Sequence, residues 1–284
     1  MNKNKNELIS VMPEMTDQIF LCFSRLIYDE CGIQLPLSKK TMLKTRLNKR
    51  LKAKKISNFF KYYQYVKAEE NIDEKIMMLD VVSTNKTEFF RENKHFIYLK
   101  NHIFPEFVNK QNKTDRTIKI WSAGCSSGPE PYSIAITAEE FFKTKTLYDY
   151  KITATDLSTQ ILQRAVNGVY TKEELRDVQI DYMRKYFMRG RHEMKNLFKV
   201  VPELRKKIDF FRLNLMDHIY DIEEQDIIFC RNVIIYFDKE TQHELFEKFY
   251  RKLKKGGYLF LGHSETMHGL SKRFKLVGPT TYIK

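Results

Sequence analysis

The stretch TIKIWSAGCSSGPEPYSIAITAEEFF, residues 117–142, reads in three parts. A short apolar run ends in small residues, a loop holding Gly124 and Gly128 follows, and PYSIAITAEEFF carries an apolar stripe at helical spacing. Strand, tight loop and helix in that order open a parallel α/β unit. Downstream the alternation continues: YKITATD then STQILQRAV, IDFFRLNL, DIIFCRNVIIYF then KETQHELFEKFYRKL, and GGYLFLGHSE. Strands alternating with helices imply a parallel sheet with crossover connections. The tail FKLVGPTTYIK places a Gly-Pro turn between two β-prone runs, which predicts a closing hairpin.

Upstream the period is helical throughout. TDQIFLCFSRLIYDECG has apolar positions 19, 20, 23, 26 and 27, with Thr16 as N-cap and Gly32 as stop. LSKKTMLKTRLNKRLKAKK spaces Leu43, Leu47 and Leu51 four apart, with Ser38 as cap; SNFFKYYQYVKAEE and DEKIMMLDVV continue the pattern into a small helical bundle. One segment breaks the later alternation. Residues 180–207 hold strand-like fragments where a crossover needs one helix, and they read as an inserted, basic, partly β subdomain.

With 284 residues, 42% hydrophobic and 30% charged, the chain is long enough for a sizeable core and has no signature of disorder. No apolar run approaches the ~20 residues of a membrane span, and MNKNKNELISVMPEMTDQ lacks a secretory apolar segment. A cytoplasmic location without membrane insertion is expected. Cys22, Cys31, Cys125 and Cys230 form no CxxC pair, and no histidine stands at ligand spacing, so neither a disulfide framework nor a metal is expected. The charge of +14 asks for an acidic partner: nucleic acid, membrane surface or acidic protein.

The ligand is read from the strand ends, where open α/β sheets bind. The loop after the first strand lacks GxGxxG, because position 126 is Ser, and Glu130 at the helix start would repel a pyrophosphate. Glycines there allow close backbone approach; a tight turn with a capping glutamate is the alternative for that loop alone. The second strand ends in Asp156, suited to ribose hydroxyls, and the third leads to Asn214, suited to an adenine edge. A cationic methionine end beside Glu130, a ribose beside Asp156 and an adenine near Asn214 describe S-adenosylmethionine.

STNKTEFFREN (83–93), WSAGCSSGPEPYSIA, ATDLS, FFRLNL, IFCRNVIIYFD and LFLGHSE together resemble the chemotaxis receptor methyltransferases, the CheR family. The resemblance implies an all-α N-terminal domain (1–82), a linker (83–95) that contributes to the cofactor site, and a Rossmann-like S-adenosylmethionine-dependent methyltransferase domain (96–284) with the β-subdomain inserted. It further implies transfer of methyl groups to receptor glutamates. On the matching motifs, Asn85, Thr87 and Arg91 would contact the cofactor, Glu130 the methionine end and Asp156 the ribose. Asn214 and Leu215 would flank the adenosine, Arg231 and Asn232 would complete the pocket, and Arg91 and Tyr236 would lie nearest the methyl. The linker is then a lid anchored by Phe89 and Phe90. His263 reads as a structural histidine, and FCRNVIIYF lacks the Asp/Asn-Pro-Pro-aromatic motif of amino-methylating enzymes.

From Gly32 to Ala68 there are eleven Lys or Arg residues and no acid. Arg46, Arg50 and Lys54 recur beside the leucine stripe, which predicts a charged face toward solvent. The resemblance points that face at the acidic helical bundle of a chemoreceptor. RNA is the alternative, disfavoured by the scarcity of exposed aromatics for stacking, and a module that binds the cofactor without turnover is a third reading. Some family members also bind a receptor peptide on the insert; FMRGRHEMKN holds only Gly190, and the resemblance leaves that property open.

Overall fold

The computed structural model describes residues 13–83, 85–109, 116–145, 147–267, 269 and 271–284. Residues 1–12, within the stretch that lacks an apolar signal segment, and Thr84 of the expected linker lie outside them. The chain divides into two compact units, Met1–Ser83 and Thr84–Lys284.

Among the described residues the first unit holds four α-helices: α1 (Asp17–Cys31), α2 (Lys40–Lys54), α3 (Phe59–Lys67) and α4 (Ile72–Val82). Thr16 caps α1 by accepting from the Ile19 amide at 3.3 Å, and Gly32 ends it at φ 73°, a conformation that costs glycine little. Ser38 does not cap α2: residues 37–39 form a 3-10 turn and the helix starts behind them. Leu43, Leu47 and Leu51 are fully buried with Phe20, Phe23, Tyr62 and Met78, so the four-residue spacing does mark the core face.

The predicted solvent stripe on α2 needs correction. Arg50 donates through Nε and Nη2 to both oxygens of the buried Glu74 at 2.9 and 2.7 Å. Lys54 lies 3.3 Å from the same carboxylate, and the Tyr62 hydroxyl donates to it at 2.8 Å. Arg46 reaches the carbonyls of Val82 and Ser83 at the end of α4. These cations join α2 to α4 because their partners, Glu74 and the carbonyls at the end of α4, arrive from a different helix, which spacing on α2 alone cannot show. The exposed cations of α2 are Lys49, Lys52 and Lys54, the last also paired with Glu74.

The second unit opens with α5 (Lys94–Tyr98), a π-turn and α6 (Phe104–Asn109). There follow β1 (Thr117–Ala123), α7 (Pro129–Phe142), β2 (Asp149–Asp156), α8 (Thr159–Asn167), β3 (Val169–Thr171), α9 (Ile180–Tyr186), β4 (Phe187–Arg189) and β5 (Leu197–Val200). Next come α10 (Pro202–Arg205), β6 (Ile208–Arg212), β7 (Gln225–Cys230), α11 (Lys239–Lys252), β8 (Leu253–Leu261), β9 (Lys275–Gly278) and β10 (Thr281–Ile283). The main sheet has the order β6-β2-β1-β7-β8-β10-β9; β10 runs antiparallel to both its neighbours and forms the expected hairpin with β9. Every residue of β7 is buried, as a central parallel strand requires. Period-two alternation puts Trp121 of β1 against Phe249 of α11 on one face, while Ile118 and Ile120 join Ile134 and Ile136 of α7 on the other.

The chain order reverses about β1, with β2 on one side and β7 on the other, so the crevice for a ligand lies at the carboxyl ends of these strands. The inserted sheet has the order β3-β5-β4, all antiparallel. Its strands run from Val169 to Val200 rather than within 180–207. The three residues of β3 follow directly on Gly168, the αL end of α8, and are too few to read as a strand in sequence.

Candidate active site

The site is built from the loops at the strand tips and the segment that crosses them. After β1, the loop turns through Gly124 (φ 83°), Ser126 (φ 50°) and Gly128 (φ 99°). A Cβ on Gly124 would lie 2.5 Å from Val233, and one on Gly128 would lie 2.7 Å from the Tyr170 hydroxyl. These glycines are thus required by protein packing, not by the approach of a ligand alone. Asp156, at the tip of β2, accepts from the amides of Ser126 at 2.8 Å and Ser158 at 3.0 Å. The carboxylate fixes the strained Ser126 and ties the two strand tips together.

The segment 85–93 crosses these tips. Ser126 Oγ donates to the Asn85 carbonyl at 3.0 Å, and the Phe90 amide donates to Ser133 Oγ at 2.9 Å. Phe89 is fully buried, edge-on to Tyr170 and Phe187 of the inserted sheet at 4.9 and 5.5 Å; Phe90 meets Phe96 and Tyr182. The two phenylalanines therefore hold the segment down, at the cost of a left-handed backbone at Phe90 (φ 52°) and Glu92 (φ 56°).

Behind the segment lies a buried ion cluster. Arg231, just past β7, has a side chain 2% exposed. It donates to Glu130 Oε2 at 3.1 Å, to Glu92 Oε2 at 3.0 Å and to the Arg91 carbonyl, and stands 5.5 Å over the Phe96 ring. Ser122 donates to the other Glu130 oxygen at 2.7 Å. Burial pushes the Glu130 carboxyl up, against the pull of Arg231; at Glu92 burial is outweighed, and Arg231 with the His263 amide holds the carboxyl below its usual range. Asn232, at φ 59°, donates to Glu92 Oε1 at 3.3 Å. The Asn232 amide donates to Glu265, which also accepts from the amides of Gly262, Ile234 and Ile235. That buried carboxylate shapes the turn Ile234–Tyr236, on which Tyr236 stands half-buried.

A family model described as "CheR methyltransferase, SAM binding domain" matches residues 85–283, and one described as "CheR methyltransferase, all-alpha domain" matches residues 19–82. The chain belongs to the CheR methyltransferase family. It is 37% identical over 287 residues to the chemotaxis protein methyltransferase of Borreliella burgdorferi, covering 100% of both chains. To the chemotaxis protein methyltransferase of Escherichia coli it is 37% identical over 269 residues, 94% of this chain and 91% of that one. As a CheR methyltransferase the protein is an enzyme that uses S-adenosylmethionine.

The residues present in this CheR chain fit that cofactor. Two half-buried carboxylates, Glu92 and Glu130, face one guanidinium, leaving a surplus negative charge, while Arg231 Nε is a buried donor without a partner among the described residues. A methionine end, carrying an ammonium and a carboxylate, answers both needs. Of the residues expected at the site, Asn85, Arg91, Glu130, Asp156, Arg231 and Asn232 are joined by the bonds described above.

Several of these residues already have partners within the protein. Glu130 is paired with Arg231. The Arg91 guanidinium donates to the Lys86 carbonyl of its own loop at 3.2 Å. Asn214 Oδ1 accepts from the Met216 amide at 3.0 Å, and the Leu215 carbonyl accepts from the Tyr220 hydroxyl at 2.6 Å and from Lys248. The Leu213 amide donates to the Asp156 carbonyl at 3.1 Å, which keeps Asn214 and Leu215 beside the β2 tip. Thr87, half-buried, and Tyr236 stand outside the bonded network. Sequence reasoning missed Glu92, Glu265 and His95. Glu92 follows Arg91 directly and Glu265 ends the quoted LGHSE, but neither spacing nor periodicity marks a carboxylate whose partners lie more than a hundred positions away, or on a loop with no pattern of its own.

Proposed function

We propose that this enzyme transfers methyl groups to glutamate side chains of chemoreceptors, forming methyl esters, as a cytoplasmic protein. The observation that carries the reading is end-to-end similarity to proteins named chemotaxis protein methyltransferases, spanning both units.

The cofactor supplies a methyl carbon bonded to a positively charged sulfur. A glutamate carboxylate, with an ordinary pKa of about 4.3, is ionised at neutral pH and needs no general base. What the chain must supply is alignment and exclusion of water, worth roughly 7–11 kcal/mol in well-oriented reactions. Glu130 and Arg231 receive the methionine end, Asp156 the ribose, and Asn214 with Leu215 the adenosine, while Asn85 and Thr87 close over it from the crossing segment. Arg91 orients the incoming carboxylate by leaving Lys86, a single bond on an exposed loop. Tyr236 borders the slot through which that carboxylate arrives. The acidic helical bundle of the receptor would dock on α2 through Lys49 and Lys52, since Arg46, Arg50 and Lys54 are occupied within the helical unit.

Incubation with cofactor labelled in the methyl group and receptor-containing membranes tests the reading. The expected product is label on receptor that mild base releases, cut by at least about tenfold in Arg91→Ala and lowered in Tyr236→Phe, as lost transition-state contacts require. Label that enters RNA and survives base would instead support the nucleic-acid alternative.

A further inference from the structure

A second cluster touches the back of the active site. Glu92 precedes α5, His95 lies within it, and His263 follows β8; one ligating atom from each lies within 4.8 Å of the other two. His95 is fully buried, and its Nε2 is 2.9 Å from the Pro279 carbonyl and 2.9 Å from Thr280 Oγ1. A carbonyl can only accept, so Nε2 carries the proton and, in the neutral ring, Nδ1 carries a lone pair. That nitrogen is buried with no hydrogen-bond partner among the described residues. It faces Glu92 Oε2 at 3.7 Å, acceptor toward acceptor, with no proton to share in the neutral ring. His263, by contrast, is exposed, and its ring stands 5.0 Å from that of His95.

An imidazole whose far nitrogen donates to a backbone carbonyl, and whose near nitrogen lacks a partner beside a carboxylate, is arranged as a metal ligand. Two imidazoles and one carboxylate form a donor set for a late first-row divalent ion, and the exposed His263 gives access and can turn inward. We propose that Glu92, His95 and His263 form a binding site for such an ion, Zn²⁺ above all, that is distinct from the cofactor pocket and coupled to it. The coupling runs through Glu92, which also accepts from Arg231 at 3.0 Å. An ion at Glu92 competes with that guanidinium, and Arg231 in turn holds Glu130 and the Arg91 carbonyl. Occupancy therefore weakens the methionine end of the cofactor site. Spacing along the chain hides the cluster, because His263 arrives from the far side of the sheet unit's sequence, after β8.

Chelator-treated full-length protein titrated with Zn²⁺, and separately with Co²⁺ for its visible ligand-field bands, tests the site. One equivalent is expected to bind the wild type. His263→Ala should lose more than about tenfold in affinity, since even an outer-shell change typically costs 10–100-fold. His263→Cys, which restores a ligand, should recover the stoichiometry and add a thiolate band. Zn²⁺ should also lower the affinity for S-adenosylhomocysteine in the wild type and leave it unchanged in His263→Ala. Absence of saturable binding, or binding unchanged by His263→Ala, overturns the site. Binding without any change in nucleoside affinity overturns the coupling. A protonated His95 paired with Glu92 and indifferent to Zn²⁺, seen by nitrogen NMR of the ring, overturns both.

Discussion

Two buried ion clusters, one in each unit, use the same residue types to different ends. In the helical unit Glu74, 2% exposed, receives Arg50 through both oxygens, with Lys54 and the Tyr62 hydroxyl besides. One acid meets two bases, each carboxylate oxygen is used, and the flanking backbone is regular helix. In the sheet unit one base meets two acids, a donor and an acceptor are left over among the described residues at Arg231 Nε and His95 Nδ1, and Glu92 and Asn232 hold left-handed backbones. A saturated cluster has nothing to offer a ligand and serves to join helices. An unsaturated one, kept in place by strained loops that the core over-determines, is a binding site in waiting.

The largest effect that would break this contrast is Arg231→Ala. It leaves the half-buried Glu92 and Glu130 together without a counter-charge, a kind of loss that costs at most about 3–5 kcal/mol. Urea unfolding should show that loss, and calorimetry should show S-adenosylhomocysteine binding abolished; Arg231→Lys, keeping the charge without the fork, should recover part of the stability. Next in size, Arg50→Ala should destabilise the helical unit by about 1.5–3 kcal/mol, the range for bonds to charged groups. Nucleoside affinity should be untouched, and a change in it would mean the first cluster is not merely structural.

The smallest effect sharpens the comparison with a third cluster, around the half-buried Glu140. Burial opposes the shift, yet Lys185, Tyr186 and Lys143 pull the Glu140 carboxyl from 4.5 to about 2. Between those values the folded chain binds fewer protons than the unfolded one. The contribution is therefore complete above about 4.5 and lost as pH falls through about 2. Glu140→Gln should lower Tm by at most about 2–4 °C at neutral pH, and the difference from wild type should vanish toward the acid end.

Much of this was legible in the chain itself. The run TIKIWSAG, the continuous apolar DIIFC and the leucines at 43, 47 and 51 report burial directly, because alternation and helical spacing are local properties of the backbone. Asp156 and Glu130 were marked by their places at strand and helix ends, which topology turns into a crevice. The charges misled where their partners are remote. Arg46, Arg50 and Lys54 looked like a solvent stripe because Glu74 and the end of α4 are not visible from α2. Gly124 and Gly128 read as places for close ligand approach, and the sequence could not show that Val233, on a distant loop, and Tyr170, on β3, also fill their space.

The amino-acid sequence by itself thus determined the class of fold, the family and the strand-end residues, since each rests on periodicity or on a contiguous motif. Only the tertiary structure decided which charges neutralise one another. Arg231 chooses between Glu92, Glu130 and solvent according to distances set by two loops and the first turn of α7, and Coulomb energies in a buried site depend on those distances and on the local dielectric rather than on order along the chain.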